Sequence, residues 1–225
     1  MKSGFSRIAA IAWLCCSSSA FALSEQEAAE QSISTSIQAT KPGLHMLINV
    51  GMTYGGDTVA TAVFTNGSST DIKGGGLLQF GAGGLYQFEQ QPIALMLSAN
   101  YHFHSVSGAN GSISFDRLPI EALAYYTGKE RFRIGGGVRI VNSPEADSTA
   151  PGSGFDIKNI TYKNTTGLVA EIGYQLSSEG WLNFRFVSEK YQGETATAYN
   201  GATASLASVS PKSGSHLGVN FTYEF

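Results

Sequence analysis

The sequence predicts an all-β fold, an eight-stranded antiparallel up-and-down transmembrane β-barrel with short turns at one end and longer loops at the other. Three observations predict it. Apolar residues recur with a period of two from Leu44 to the last residue, Phe225. No run of about eighteen apolar residues exists, so a transmembrane helix is excluded. The composition, with 27 glycines, 13 phenylalanines and 10 tyrosines but only 14% charged residues, departs from that of a water-soluble helical domain. In lipid every backbone polar group must find an internal partner, so a membrane reading of this chain has to be a β reading.

The length of 225 residues allows one domain with a short appendage. Residues 1–22 have the form of a secretory signal peptide. Lys2 and Arg7 make a positive start, Ile8 to Cys16 is an apolar stretch too short to cross a bilayer, and Ala20-Phe21-Ala22 is a cleavage site. Acylation at Cys15 or Cys16 would want small residues ahead of the cysteine, where Trp13 and Leu14 stand. Cleavage after Ala22 removes both cysteines, so the mature chain carries no disulfide. It also removes Lys2 and Arg7, leaving 12 basic residues against 17 acidic and a net charge of -5. A weakly acidic chain without a basic block is a poor candidate for nucleic acid.

Residues 23–43 read as a periplasmic N-terminal tail. Ser24 and Glu27 have capping-box spacing, which suggests a short helix, and Pro42-Gly43 ends the segment. A plug inserted in the lumen is the less favoured alternative.

The barrel itself is expected over residues 44–225. Eight segments alternate, beginning with Leu44, Met46, Ile48, Val50, Met52 and Tyr54 against His45, Asn49, Gly51 and Thr53, with Leu47 out of phase. The second runs through Leu78, Phe80, Tyr86 and Phe88, the third through Ile93, Leu95, Leu97, Tyr101 and Phe103, and the fourth through Leu118, Ile120 and Tyr126. Phe132, Ile134, Val138 and Ile140 mark the fifth; Tyr162, Leu168, Ile172 and Tyr174 the sixth; Leu182, Phe184 and Phe186 the seventh. Alternation alone also fits a soluble sandwich. Connections at 89–91, 128–130 and 177–180 are short, however, whereas those near 57–76, 105–114, 143–159 and 192–213 are long, as in outer-membrane barrels. Aromatic residues cluster at both ends of the apolar face, with Tyr54, Tyr101, Phe103 and Tyr162 assigned to the external rim. Charges fall on the opposite face, as a polar lumen requires.

The eighth segment ends the chain with Leu217, Val219, Phe221, Tyr223 and Phe225 at alternate positions. It resembles the C-terminal signal that outer-membrane barrels present to the barrel-assembly machinery. With the signal peptide and the strand count, residues 44–225 resemble the small eight-stranded outer-membrane β-barrel proteins of Gram-negative bacteria. The resemblance is one of pattern and carries no subfamily motif. It implies contact with outer-membrane lipids and lipopolysaccharide, and both termini in the periplasm.

Eight strands leave an interior just wide enough for side chains. Lumenal charges must then pair. The tight turns put Glu171 opposite Arg185 and Glu121 diagonal to Arg139, and both pairs are expected to be lumenal salt bridges. Pro119 is expected to cost one ladder hydrogen bond and to mark a bulge. Thr58 to Thr65 is β-prone and Asn66-Gly67 is a hairpin signal, so loop 58–73 is read as a continuation of the first two strands beyond the lipid. Its protruding edges give a surface partner a place to bind.

His102 and His104 share a face of the third strand, and His216 has inward parity at the top of the eighth. Three imidazoles could hold a metal, but the third and eighth strands are not neighbours and no Asp or Cys joins them. Ordinary polar lumen residues are the better reading, and no metal or cofactor is expected. Lipid A acyl-transfer or deacylase chemistry would need Ser, His and an acid together at the outer rim. His104, Ser105, Ser107 and Asp116 are near in sequence, but parity sends His104 inward and Asp116 outward. Gly81 to Gly84 and Gly135 to Gly137 lie inside strands and cannot cradle phosphate, which needs a strand-to-helix turn. The expectation is a non-enzymatic integral outer-membrane protein with a structural or surface-interaction role. A lipid A-modifying enzyme is the alternative, and a narrow channel the third.

Overall fold

A computed structural model of the chain describes residues 41–63, 67–108, 111–149 and 157–225. The expected signal peptide and all but the end of the expected tail lie outside the described residues.

The wall is a closed antiparallel ring of eight strands: β1 (Gly43–Gly55), β4 (Leu77–Gln87), β5 (Ile93–Gly108), β6 (Gly111–Lys129), β7 (Phe132–Ser148), β9 (Thr165–Gln175), β10 (Gly180–Ser188) and β15 (His216–Glu224). β15 pairs with β1, which closes it. Following the ladders from Leu44 through Tyr86, Leu95, Ala124, Gly136, Ala170, Phe186 and Leu217 returns to β1 at Tyr54, ten residues on. That stagger over eight strands corresponds to a tilt of about 40° from the barrel axis. Closure removes every sheet edge from the hydrocarbon.

Large apolar side chains face outward. Met46, Val50, Phe80, Leu97, Ile134, Leu168, Phe184 and Leu217 are all exposed. Burial alternates residue by residue along β6 and β9, which is the strand period made physical. Leu47, out of phase in the sequence, points inward and is buried.

The remaining strands are β2 (Thr58–Val63), β3 (Ser69–Lys73), β8 (Ile157–Tyr162), β11 (Lys190–Tyr191), β12 (Gly193–Ala198), β13 (Thr203–Ser205) and β14 (Lys212–Ser213). They sit at the end of the barrel opposite the short turns. β8, β12 and β13 extend the sheet from the top of β7. The expected loop near 105–114 is instead strand, β5 and β6 pairing up to Gly108 opposite Gly111. Val106, Ile113 and Phe115 alternate with serines there, a signal of half-buried strand.

Four expectations are corrected. Loop 58–73 does not continue the first two wall strands; β2 and β3 form a separate two-stranded sheet over the barrel mouth. Its apolar residues Val59, Ala60 and Ile72 are too hydrophobic to stand in water, and they pack inward against Ile113 and Phe115. Tyr162 belongs to no girdle. β8 lies beyond the wall, which the chain enters only at β9 where the alternation restarts, and Tyr162 lies buried against Phe115 and Tyr191. Glu121 stands directly opposite Arg139, not diagonal to it, because β6 runs to Lys129, which places the turn at Glu130-Arg131, and a register shift between Tyr126 and Lys129 moves the pairing by one residue. Pro119 interrupts the β5–β6 ladder between Ile120 and Arg117 without changing its register. The bulge lies instead on β7, where Ser143 has a φ of 46°.

Candidate functional site

The lumen is where chemistry-bearing side chains meet. Among the described residues four arginines and four glutamates are buried inside it: Arg117, Arg133, Arg139 and Arg185 with Glu121, Glu171, Glu189 and Glu224. Formal charges therefore cancel, as a water-poor interior demands.

The predicted pairs sit at the centre. Arg139 Nη1 donates to Glu121 Oε1 at 2.9 Å, and its Nε lies 3.0 Å from Glu189 Oε2. Arg185 Nη2 donates to Glu121 Oε2 at 2.7 Å, while its Nε is 3.5 Å from Glu171 Oε2, an ion contact too long for a good hydrogen bond. The Tyr125 hydroxyl donates to Glu171 Oε1 at 2.8 Å. Arg139 also reaches Gln79 Oε1 and His102 Nδ1. One network thus ties β4, β5, β6, β7, β9 and β10 across the interior.

Nearer the short turns, Arg133 Nη1 meets Glu224 Oε1 at 2.6 Å. Its guanidinium lies over the Tyr125 and Trp181 rings, 4.5 Å and 4.3 Å from their centroids. Sequence reasoning missed this pair, since β7 and β15 share no turn. It also missed an apolar layer inside the wall, Leu47, Leu85, Met96, Leu123, Val169 and Val187. Those residues alternate against other apolar ones, so parity along the whole strand was the only signal for them.

His102 and His216 meet across the lumen with ring centroids 5.2 Å apart, although their strands are not neighbours. His102 Nε2 is 2.8 Å from Thr53 Oγ1, and Arg117 Nη2 lies about 3 Å from both ring nitrogens. Two arginines against an imidazole repel a cation. His104 is set apart and accepts the Lys73 backbone N–H at Nδ1, at 3.1 Å. Among the described residues no three His, Cys, Asp or Glu side chains converge as metal ligands. Asp116 lies on the outer face, where the Tyr101 hydroxyl donates to it at 2.6 Å and Ser114 at 2.8 Å. It is separated from His104 by the wall.

At the end of the barrel away from the short turns, an apolar layer lies over this network. Phe115, Tyr162 and Tyr191 stack edge to face beneath Val59, Ala60 and Ile72. Burial pushes the Tyr162 hydroxyl up to about 12. On the outer face of the hairpin, hydrogen bonds from Thr61 and Thr58 hold Asp71 below the usual carboxylate range.

No family model and no curated protein matches the chain. Among solved structures it is similar to Ail, the attachment invasion locus protein of Yersinia pestis, at a TM-score of 0.50 and 9% identity, over 83% of this chain and 100% of that one. This chain has the fold of the small outer-membrane β-barrels. Neisserial surface protein A aligns with the barrel over 81% of this chain and 97% of its own, at 8% identity and a TM-score of 0.45. OprG from Pseudomonas aeruginosa aligns over 84% and 99%, at 15% identity and 0.45. At these identities the likeness speaks for the fold alone. Leu217, Val219, Phe221, Tyr223 and Phe225, expected from the sequence to form an assembly signal, lie on the closing strand and its end, and the Phe225 N–H donates to the Met46 carbonyl at 2.8 Å.

Proposed function

We propose that the barrel is a non-enzymatic integral outer-membrane protein with a structural or surface-interaction role. Its lumen is read as closed to solutes and its termini as periplasmic. The observation that carries this reading is the charge-balanced set of four arginines and four glutamates buried in the interior beside an apolar cluster at the mouth. A conduit for apolar molecules would not be lined with ions, and one for ions would need water between them. Acyl-transfer chemistry is disfavoured because His104 spends Nδ1 on a backbone N–H while Asp116 faces outward.

The outward apolar belt is read as lying against outer-membrane lipid and lipopolysaccharide, and the C-terminal strand as the segment read by the barrel-assembly machinery. The surface role falls to the external sheet, where Thr203, Ala204 and Ser205 of β13 are exposed. Two measurements test the reading. Purified protein in planar bilayers should give no conductance steps, and lipid A from a deletion strain should have an unaltered mass spectrum. Discrete steps would establish the channel, and a shifted acyl pattern the enzyme.

A further inference from the structure

We propose that β2 and β3 form a lid over the external mouth, hinged on glycines at both ends and latched by neutral His104, so that protonating His104 releases it. This goes beyond the structural and surface role above, adding an acid-dependent change to the external face.

The hinges come first. Gly55 and Gly56 precede β2 with φ of 140° and 78°, a region open to glycine. Gly74 and Gly75 follow β3, and Gly75 N–H donates to Gly55 O at 3.2 Å. The two ends form a narrow neck in which a Cβ at Gly56 would come within 2.6 Å of Gly75 N. A segment entering and leaving through paired glycines can swing with few torsions changed once two bonds at the neck give way, Asp57 N–H to Ser213 O at 2.7 Å and Ser213 N–H to Asp57 Oδ2 at 2.8 Å.

Among the described residues the lid buries Ile72, Val59, Ala60 and Ala62 at the barrel mouth. Polar contacts add to that closure. Lys73 N–H donates to His104 Nδ1 at 3.1 Å, and beyond the hinge Arg117 Nη2 donates to Gly76 O, also at 3.1 Å. An imidazole accepts at Nδ1 only while that nitrogen is unprotonated. Protonation deletes the acceptor and sets a cation beside Arg117.

The charges facing His104 offer no compensation. Arg117 approaches from β6, and His102 shares its face of β5. The Lys73 ammonium turns away to Thr58 and Asp71, and Gly76 and Leu77 at the start of β4 carry no charge. Release would uncover Phe115, Tyr191 and Arg117 while the Arg139–Glu121 network below stays closed.

The test is hydrogen exchange of the β2 and β3 amides in the intact barrel in detergent, corrected for the intrinsic pH dependence of exchange. Between about pH 7.5 and about pH 4.5, a range that brackets histidine titration, protection of these amides should fall about tenfold. Amides of β1 and β15 should not change. His104→Asn offers a non-titrating acceptor and should keep the lid protected at both pH values. His104→Ala should leave it weakly protected at both. A lid whose protection ignores pH in the unaltered protein overturns the proposal. So does a full acid response in His104→Asn, or an undiminished neutral-pH protection in His104→Ala.

Discussion

Arg185 donates to Glu121 at 2.7 Å across the lumen, although the ladder places it opposite Glu171, whose nearer oxygen is 3.5 Å from its Nε. Glu121 therefore receives two guanidinium groups, and Glu171 is held chiefly by Tyr125. Replacing Glu121 by Gln should cost about 3–5 kcal/mol, because two buried cations lose their shared counter-charge. Glu171→Gln keeps an acceptor for Tyr125 and should cost about 1 kcal/mol. Arg185→Met should resemble Glu121→Gln. Urea unfolding in detergent ranks the three; a Glu171 variant worse than the Glu121 variant would contradict the geometry.

Two adjacent glycines should behave oppositely. A Cβ on Gly83 would sit 2.1 Å from the Leu97 carbonyl oxygen, backbone that cannot move without breaking the ladder. One on Gly84 would meet nothing nearer than 3.7 Å. Gly83→Ala should fail to give the compact, heat-modifiable band on gels, and Gly84→Ala should migrate as the parent does.

Among the described residues Ile72 is the most deeply buried side chain of β2 and β3. Truncation to Ala should remove about 2–5 kcal/mol, but locally, since a cover can open without the wall unfolding. Exchange should quicken in β2 and β3 while the global unfolding midpoint stays put. A matching drop in the global midpoint would mean that cover and wall unfold as one.

Phe225 presents a largely exposed ring that touches Tyr223 edge-on, with centroids 5.0 Å apart. Phe225→Ala should therefore alter refolding in detergent by less than about 0.5 kcal/mol. In cells it should lower the amount of folded protein in the outer membrane, the effect expected if this residue is read during assembly. Equal cellular yields would remove Phe225 from that role.

Much of the wall was legible because a transmembrane barrel writes its geometry locally. Lipid on one side and packed polar groups on the other impose a period of two, and tight turns such as 177–180 transmit the register to the next strand. Glu171 opposite Arg185 follows from that turn alone. At 128–130 the same reasoning slipped by two positions, since β6 runs on to Lys129 and nothing in the residues announces the register shift after Tyr126. Tyr162 was misassigned for a related reason: parity is kept only while the chain stays in one strand.

The sequence by itself determined an eight-stranded wall, its greasy exterior and the inward direction of Arg139, Glu121, His102 and His216. Only the tertiary structure decided that Arg133 meets Glu224, that His102 faces His216, and that β2 and β3 fold back over the mouth. Alternation along a strand says which way a side chain points. What it meets depends on curvature, tilt and stagger around the whole ring, quantities that exist only once β15 has closed on β1.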